Sequence, residues 1–301
     1  MYINELKLPS KEKEYYWLYG GNKNYKTDPT NKAGLKGVDL THYPFHIFTR
    51  YASAPDIEFA PITIFYGGNG SGKSTLLNVI AEKMRLYRNS PFNTTPFFRD
   101  YCDLCEIELG EISRESKIIT SDDIFEKLHF TREVNSMIDG SHKSAWDNKR
   151  KLLAELGDDP ELLRLKGKED YKRFKEYYDA VSNSTSDFIM ERTRKNLEAH
   201  SNGETALGYI CSELGDNSLL LLDEPENSLS PAFQKELKKI IEDHARFFGC
   251  QFVIATHSPL LLSMDNATVF DLDNECEMAN WYELENIKIY ASLFLENKDK
   301  F

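Results

Sequence analysis

Eight consecutive residues, "GGNGSGKS" from Gly67 to Ser74, have the makings of a phosphate cradle. Glycines let successive backbone N–H groups turn inward on phosphate oxygens, and a helix that follows aims its positive pole at the same anion. Gly67-x-x-x-x-Gly72-Lys73-Ser74 is the complete P-loop pattern. Lys73 is then placed for the β- and γ-phosphates of a nucleotide, and the Ser74 hydroxyl suits Mg²⁺. The candidate phosphate contacts are Gly67, Gly68, Asn69, Gly70, Ser71, Gly72, Lys73, Ser74 and Thr75. A second piece of chemistry ends the apolar run in "SLLLLDEPENSLSP". There Asp223 is expected to hold the Mg²⁺ shell and Glu224 to polarise the water that attacks the γ-phosphate. The plainer alternative is an acidic pair that caps a helix. The third piece is His257 in "FVIATHSPLLL", just past an apolar strand, where it is expected to sense the γ-phosphate. A lone histidine is otherwise more often structural.

These residues need strands and helices to bring them together. Residues 61–66, "PITIFY", read as a buried strand, 67–72 as a loop, and 74–87 as a helix with Leu76, Leu77, Ile80 and Met84 on one face. Further strands are expected at 106–109, 116–119, 219–222, 251–255 and 269–272. Ser230 and Pro231 form an N-cap and first-turn pair that opens a helix running to about Phe248, stopped by Gly249. Residues 1–60 read as loops and short, partly antiparallel strands. Residues 121–198 are charged and helical, punctuated at Gly140 and at "GDDP" from Gly157 to Pro160. Strands alternating with helices imply a mainly parallel sheet with helices on its faces. The expected class is therefore α/β: a P-loop domain with a mainly parallel core and an N-terminal antiparallel part. It forms one domain over 1–301, with a helical subdomain inserted at about 121–200.

Bulk properties narrow the choices. The 301 residues, 41% apolar and 29% charged, suit a globular domain with a sizeable core. No apolar run approaches the roughly 18–20 residues that span a bilayer. The N-terminus lacks an apolar signal region, and five scattered cysteines fit a reduced, cytoplasmic setting. A net charge of −12 argues against a globally basic nucleic-acid surface. Residues 143–195, however, hold thirteen Lys/Arg against eleven Asp/Glu, about +2 in a chain otherwise near −14. A solvated helical face and a local DNA or RNA contact both stay open there. Cys102 and Cys105 form a C-x-x-C pair with no second pair or histidine at zinc spacing.

Taken together, the three motifs resemble the ATP-binding cassette superfamily. "LLDEPENSLSP" is similar to its Walker B and D-loop, and "ATHSP" to its switch-histidine segment. Ser201-Asn202-Gly203-Glu204 stands about where its signature motif falls. On its own this tetrapeptide is a capping box, with Ser201 as N-cap and Glu204 three residues on. Its "SxGE" form, with "DEPE" and "THSP", resembles the SMC-like and overcoming-lysogenization-like ATPases more than transporter subunits. "KEYYWL", "ITSDDIF" and "WYELENIKIYASLFLEN" also resemble a small prokaryotic group of AAA-family ATPases. The resemblance spans most of the chain and is weak in the insert. It implies an ATP-sandwich homodimer, or a larger homo-oligomer. Ser201, Gly203 and Glu204 of one copy would complete the ATP site of the other, with residues 228–230 across the interface.

One departure concerns the family's Q-loop glutamine. The chain has only Gln234 and Gln251, neither between the P-loop and the signature. Ser121 or Asp122 in "IITSDDIF" is the candidate replacement, unless the segment is simply a helix cap. Phe48 and Tyr51 are candidates to stack on adenine. Arg192 and Arg194 could reach phosphate or nucleic acid, or be solvated charges. The expected function is an ATP hydrolase that uses Mg²⁺ and works without membrane insertion. It would drive or gate a partner in genome maintenance or anti-phage defence. Only 44 residues follow His257, so an effector is expected on a separate chain. A transporter's nucleotide-binding subunit and an ATP-sensing regulatory module with little turnover remain the alternatives.

Overall fold

The computed structural model describes residues 1–19, 42–111, 113–164, 167–197 and 201–300. The chain forms two compact units, Met1–Phe125 with Asn202–Phe301, and Glu126–Ser201. In chain order the first unit contains β1 (Ile3–Lys7), α1 (Lys11–Tyr19), β2 (Asp56–Glu58), β3 (Ile62–Tyr66), α2 (Lys73–Met84), α3 (Phe98–Leu104), β4 (Glu106–Leu109) and β5 (Lys117–Thr120). Helix α4 (Ser121–Asp158) starts there and continues into the second unit, which also holds α5 (Tyr171–Ser182) and α6 (Thr185–Met190). The first unit then resumes with α7 (Asn202–Glu213), β6 (Leu219–Asp223), α8 (Pro231–Phe247), β7 (Gln251–Ala255), α9 (Pro259–Leu262), β8 (Thr268–Asp271), β9 (Glu277–Met278) and α10 (Glu285–Glu296).

The architecture is α/β. A six-stranded sheet runs β5-β6-β7-β3-β8-β9, parallel except for β9, and a separate antiparallel sheet runs β2-β1-β4. The largely apolar runs "ITIFY" and "QFVIA" show no polar/apolar alternation because every residue of β3 and β7 is buried. Helix α2 packs on this sheet through Leu76, Leu77, Val79 and Ile80, all fully buried. It ends in the expected last turn, at Met84 rather than Tyr87, with Arg85 left-handed at φ 52°.

Gln251 fastens the small sheet to the large one. Its buried side-chain oxygen accepts the N–H groups of Tyr2 (2.8 Å) and Ile3 (3.0 Å), while its nitrogen donates to the carbonyls of Ile3 and Ala60. Losing that amide would take a hydrogen-bond partner from four backbone groups.

Two expectations are corrected. Gly140 does not interrupt the insert, because it lies inside the 38-residue α4, whereas "GDDP" does mark a break: α4 ends at Asp158 and a short 3₁₀ turn opens at Pro160. An interior glycine costs only about 1 kcal/mol, too little to break so long a helix. The N-terminal region also contains α1, which was expected as loop and strand. Residues 20–41 of that region, expected as loops and short strands, and the end of the insert at 198–200 lie outside the described residues. Within the second unit, Leu152, Tyr177, Ala180 and Phe188 form the core, and the Arg192 guanidinium stacks 3.8 Å from the Phe188 ring centroid while pairing with Asp179 at 3.0 Å. Arg192 is therefore taken up in packing.

Glu14 on α1 is a buried carboxyl, 1% exposed, whose Oε2 accepts the His46 backbone N–H at 2.8 Å. That bond secures a left-handed turn at His46 (φ 72°), which leads into Ile47 and Phe48. Burial pushes the carboxyl from its ordinary 4.5 up to about 7. With a raised folded-state value, the stability contributed by protonated Glu14 is complete below about pH 4.5 and lost as pH rises through about 7. Glu14→Gln, which keeps an acceptor for His46, should raise Tm by roughly 3 °C at pH 8 and leave it unchanged at pH 5, as read by thermal melts.

Candidate functional site

The site sits at the carboxyl ends of β3, β6 and β7, where parallel strands of α/β sheets leave a crevice. Strand β7 lies between β3 and β6, so the phosphate loop and the carboxylates are separated by the strand that carries His257. Register fixes their heights: Phe65 and Asp223 both pair with Ala255. Asp223 and Glu224 thus leave the sheet level with the start of the loop after Tyr66.

The loop at 67–72 needs its glycines where neighbours press in. Gly72 has φ 100°, and a Cβ there would stand 2.9 Å from the Phe48 ring. A cleft of about 310 Å³ opens over the loop, lined by Asn69, Gly70, Ser71, Gly72, Lys73, Ser74, Thr75, Glu224, Tyr43 and Ile47. Gly67 and Gly68 contribute carbonyls instead: the buried Lys73 ammonium donates to both, at 2.8 and 3.2 Å. The loop is braced from behind. The Gly68 N–H donates to the Asp273 carboxylate at 2.6 Å, and Arg50 donates to the carbonyls of Ser71 and Leu272.

Ser74 Oγ donates to Asp223 Oδ1 at 3.0 Å, so the two candidate metal ligands meet. Burial is the main reason the Asp223 carboxyl rises from 3.8 to about 6, with the neighbouring Glu224 charge adding to it. Serine hydroxyl and carboxylate are hard oxygen donors of the kind Mg²⁺ takes, and they fit that ion. Glu224 holds a left-handed backbone (φ 48°), costly for a non-glycine residue and secured by its N–H bond to the Ala255 carbonyl at 2.9 Å. That conformation brings Glu224 Oε1 to 3.7 Å from Lys73 Nζ and 3.6 Å from His257 Nε2. Asn227 Nδ2 donates to the other oxygen at 3.0 Å. Lys73, Ser74, Asp223, Glu224 and His257 therefore form one cluster at the cleft.

The stacking candidates are corrected. Phe48 and Tyr51 are buried, at 3% and 5% exposure. Phe48 is committed to Gly72, and the Tyr51 hydroxyl to the Leu272 carbonyl at 2.7 Å. Tyr43 and Ile47 line the cleft instead, with the Tyr43 hydroxyl 3.1 Å from that of Thr75. Near the missing glutamine, register places Thr120 beside Asp223, while Asp122 is exposed on the first turn of α4. The buried carboxylate there is Asp123, and it accepts bonds from Ser90 N, Thr120 N and Thr120 Oγ1. Asn227 was legible as the residue three after Glu224 in a turn, whereas Asp273 and Arg50 had no local signal. Cys102 and Cys105 are buried, and burial pushes both thiols up, Cys102 to about 12, so both are protonated packing residues.

This fold and cluster define a P-loop nucleotide-binding domain of the ATP-binding-cassette kind. The chain belongs to the family described as "AAA domain, putative AbiEii toxin, Type IV TA system", which matches residues 110–263 and so takes in Asp223, Glu224 and His257. It is similar to the uncharacterized ABC transporter ATP-binding protein YdbJ of Bacillus subtilis (strain 168), 27% identical over 124 residues, 38% of this chain and 40% of that protein. The chain thus matches about two fifths of the length of this curated relative. Among solved structures it is similar to a nucleotide-free ATP-binding cassette from an ABC transporter (TM-score 0.36, 17% identity, 80% of this chain and 88% of that one). It is also similar to the Smc head domain with an extended coiled coil from Pyrococcus furiosus (TM-score 0.35, 13% identity, 80% and 95%). Among the described residues no helix is long and apolar enough to cross a membrane.

The signature candidate sits at a helix start. Helix α7 begins at Asn202, directly after Ser201, with Glu204 in its first turn. A Cβ on Gly203 would stand 2.7 Å from the Phe233 ring of α8 and 3.6 Å from the Ser228 carbonyl. A glycine is thus required by packing within this chain, whatever else approaches the helix. Gly203→Ala should cost about 1–2 kcal/mol in denaturant unfolding, and adding Phe233→Leu should recover most of it.

Proposed function

We propose that the chain binds ATP in the cradle at 67–75 and hydrolyses it as an ATP-sandwich homodimer. Ser201, Gly203 and Glu204 of one copy complete the site of the other. The observation that carries this reading is the convergence of Lys73 and His257 on one oxygen of Glu224 at the cleft. Glu224 takes the proton of the attacking water, and Lys73 and the loop N–H groups hold the phosphates. His257 donates to the γ-phosphate, and Ser74 and Asp223 hold Mg²⁺. Bound there, Mg²⁺ neutralises phosphate charge. Hydrolysis opens the dimer and moves the helical insert near 121–200 or a separate effector chain, in a cytoplasmic process of genome maintenance or anti-phage defence. The similarity to an ABC transporter ATP-binding protein favours a second reading, a transporter's nucleotide-binding subunit, which co-purification with a membrane-spanning chain would support.

Glu224→Gln tests the hydrolysis. Turnover should fall by about 10²–10⁴-fold while ATP affinity holds and an ATP-bound dimer accumulates in light scattering. Equal turnover by wild type and variant would sink the mechanism. A pH series tests the metal site. The Asp223 carboxyl, raised to about 6, must ionise to hold Mg²⁺. Mg²⁺-dependent gain in ATP affinity should therefore shrink by about tenfold per pH unit below 6, while affinity measured in EDTA stays flat.

A further inference from the structure

We infer that Glu226 is a positioning residue that sets the place of His257, and that the turn Pro225–Ser228 thereby holds both members of the Glu224–His257 pair. The inference rests on the hydrolysis reading for its kinetic consequence but on geometry for the tether itself. Glu226 is 8% exposed, two residues past Glu224 and on the far side of Pro225. Its Oε1 accepts two bonds from consecutive residues at the end of β7, Thr256 Oγ1 at 2.6 Å and the His257 backbone N–H at 3.0 Å. Its Oε2 is buried and has no hydrogen-bond partner among the described residues.

A carboxyl left half unsatisfied in the interior is a poor stabilising device, since an apolar side chain would avoid the desolvation cost. What the arrangement does supply is geometry. The imidazole of His257 stands 3.6 Å from Glu224 Oε1, and the backbone that carries it is held by Glu226. Asn227, the next residue of the same turn, holds Glu224 through its other oxygen. The following residue is held as well: Ser258 Oγ donates to Gln234 Oε1 at 2.7 Å, and Gln234 Nε2 donates to the Leu229 carbonyl just after the turn. One four-residue turn thus grips the base by Asn227 and the histidine by Glu226. An acceptor, rather than a negative charge, is what this geometry needs at position 226.

Three variants separate this from a purely structural role. Glu226→Gln keeps the acceptor and should turn over ATP within about threefold of wild type, whereas Glu226→Ala should lose about tenfold or more in kcat with KM within threefold. Thr256→Val, which keeps the His257 bond, should fall between them. In protein labelled with ¹⁵N-histidine, the His257 amide should exchange with solvent about tenfold faster in Glu226→Ala and as slowly as wild type in Glu226→Gln. If the wild type shows no turnover, the hydrolysis reading fails while amide exchange still judges the tether. Glu226→Ala matching wild type in His257 exchange would overturn the inference, as would a Glu226→Gln variant as impaired as Glu226→Ala. Should Glu226→Ala fail to fold, Glu226→Gln and Thr256→Val decide: both folded with His257 exchange faster than wild type by a similar factor would overturn it.

Discussion

The parallel ladder β6–β7–β3 is the constraint on which the rest depends. Its backbone bonds put Asp223 and Phe65 on either side of Ala255 and so bring three distant segments to one edge. A slip of one residue would turn every side chain of a strand to the opposite face and move Asp223 away from Ser74. The burial of every residue of β3 and β7 defends that register from both faces. The chemistry is therefore held by strands that contain almost no chemistry themselves.

Charge is then placed against the grain of burial. Lys73 is 4% exposed, Glu226 is 8% exposed, and the Asp223 carboxyl is pushed well above its usual range. Such groups are costly in an interior unless their hydrogen bonds are made. Here they are largely made to backbone and hydroxyl groups of the site itself: Lys73 to the loop carbonyls, Asp223 to Ser74, Glu226 to Thr256 and His257. The left-handed Glu224 adds backbone strain at the same spot. Strain and buried charge concentrate where Glu224, His257 and Lys73 meet, as expected of a functional site.

The legible parts were those written in local code. Glycine spacing, an apolar strand ending in two carboxylates, and a serine–proline helix start are each read within about ten residues. The structure realises them as the loop at 67–72, the end of β6, and α8 capped by Ser230 through the Phe233 N–H. Misreadings fell where competing forces had to be weighed across the chain. Gly140 looked like a break because its helix cost is local, while the helix that absorbs that cost is 38 residues long. Phe48 and Tyr51 looked available because aromatic identity says nothing of what a ring is packed against.

The sequence by itself determined which side chains are candidates for phosphate, metal and proton chemistry, because such candidates are recognised by residue type at short spacing. It also determined that β3, β6 and β7 would be strands, because their apolar runs admit no exposed face. Only the tertiary structure decided that β7 would lie between the other two and bring His257 to Glu224. Only it decided that Gly203 is pressed by Phe233, that Asp273 braces Gly68, and that Glu226 reaches Thr256 and His257. Those contacts join residues from about 30 to 205 positions apart, and they arise from strand order and close packing, which no short stretch of chain encodes.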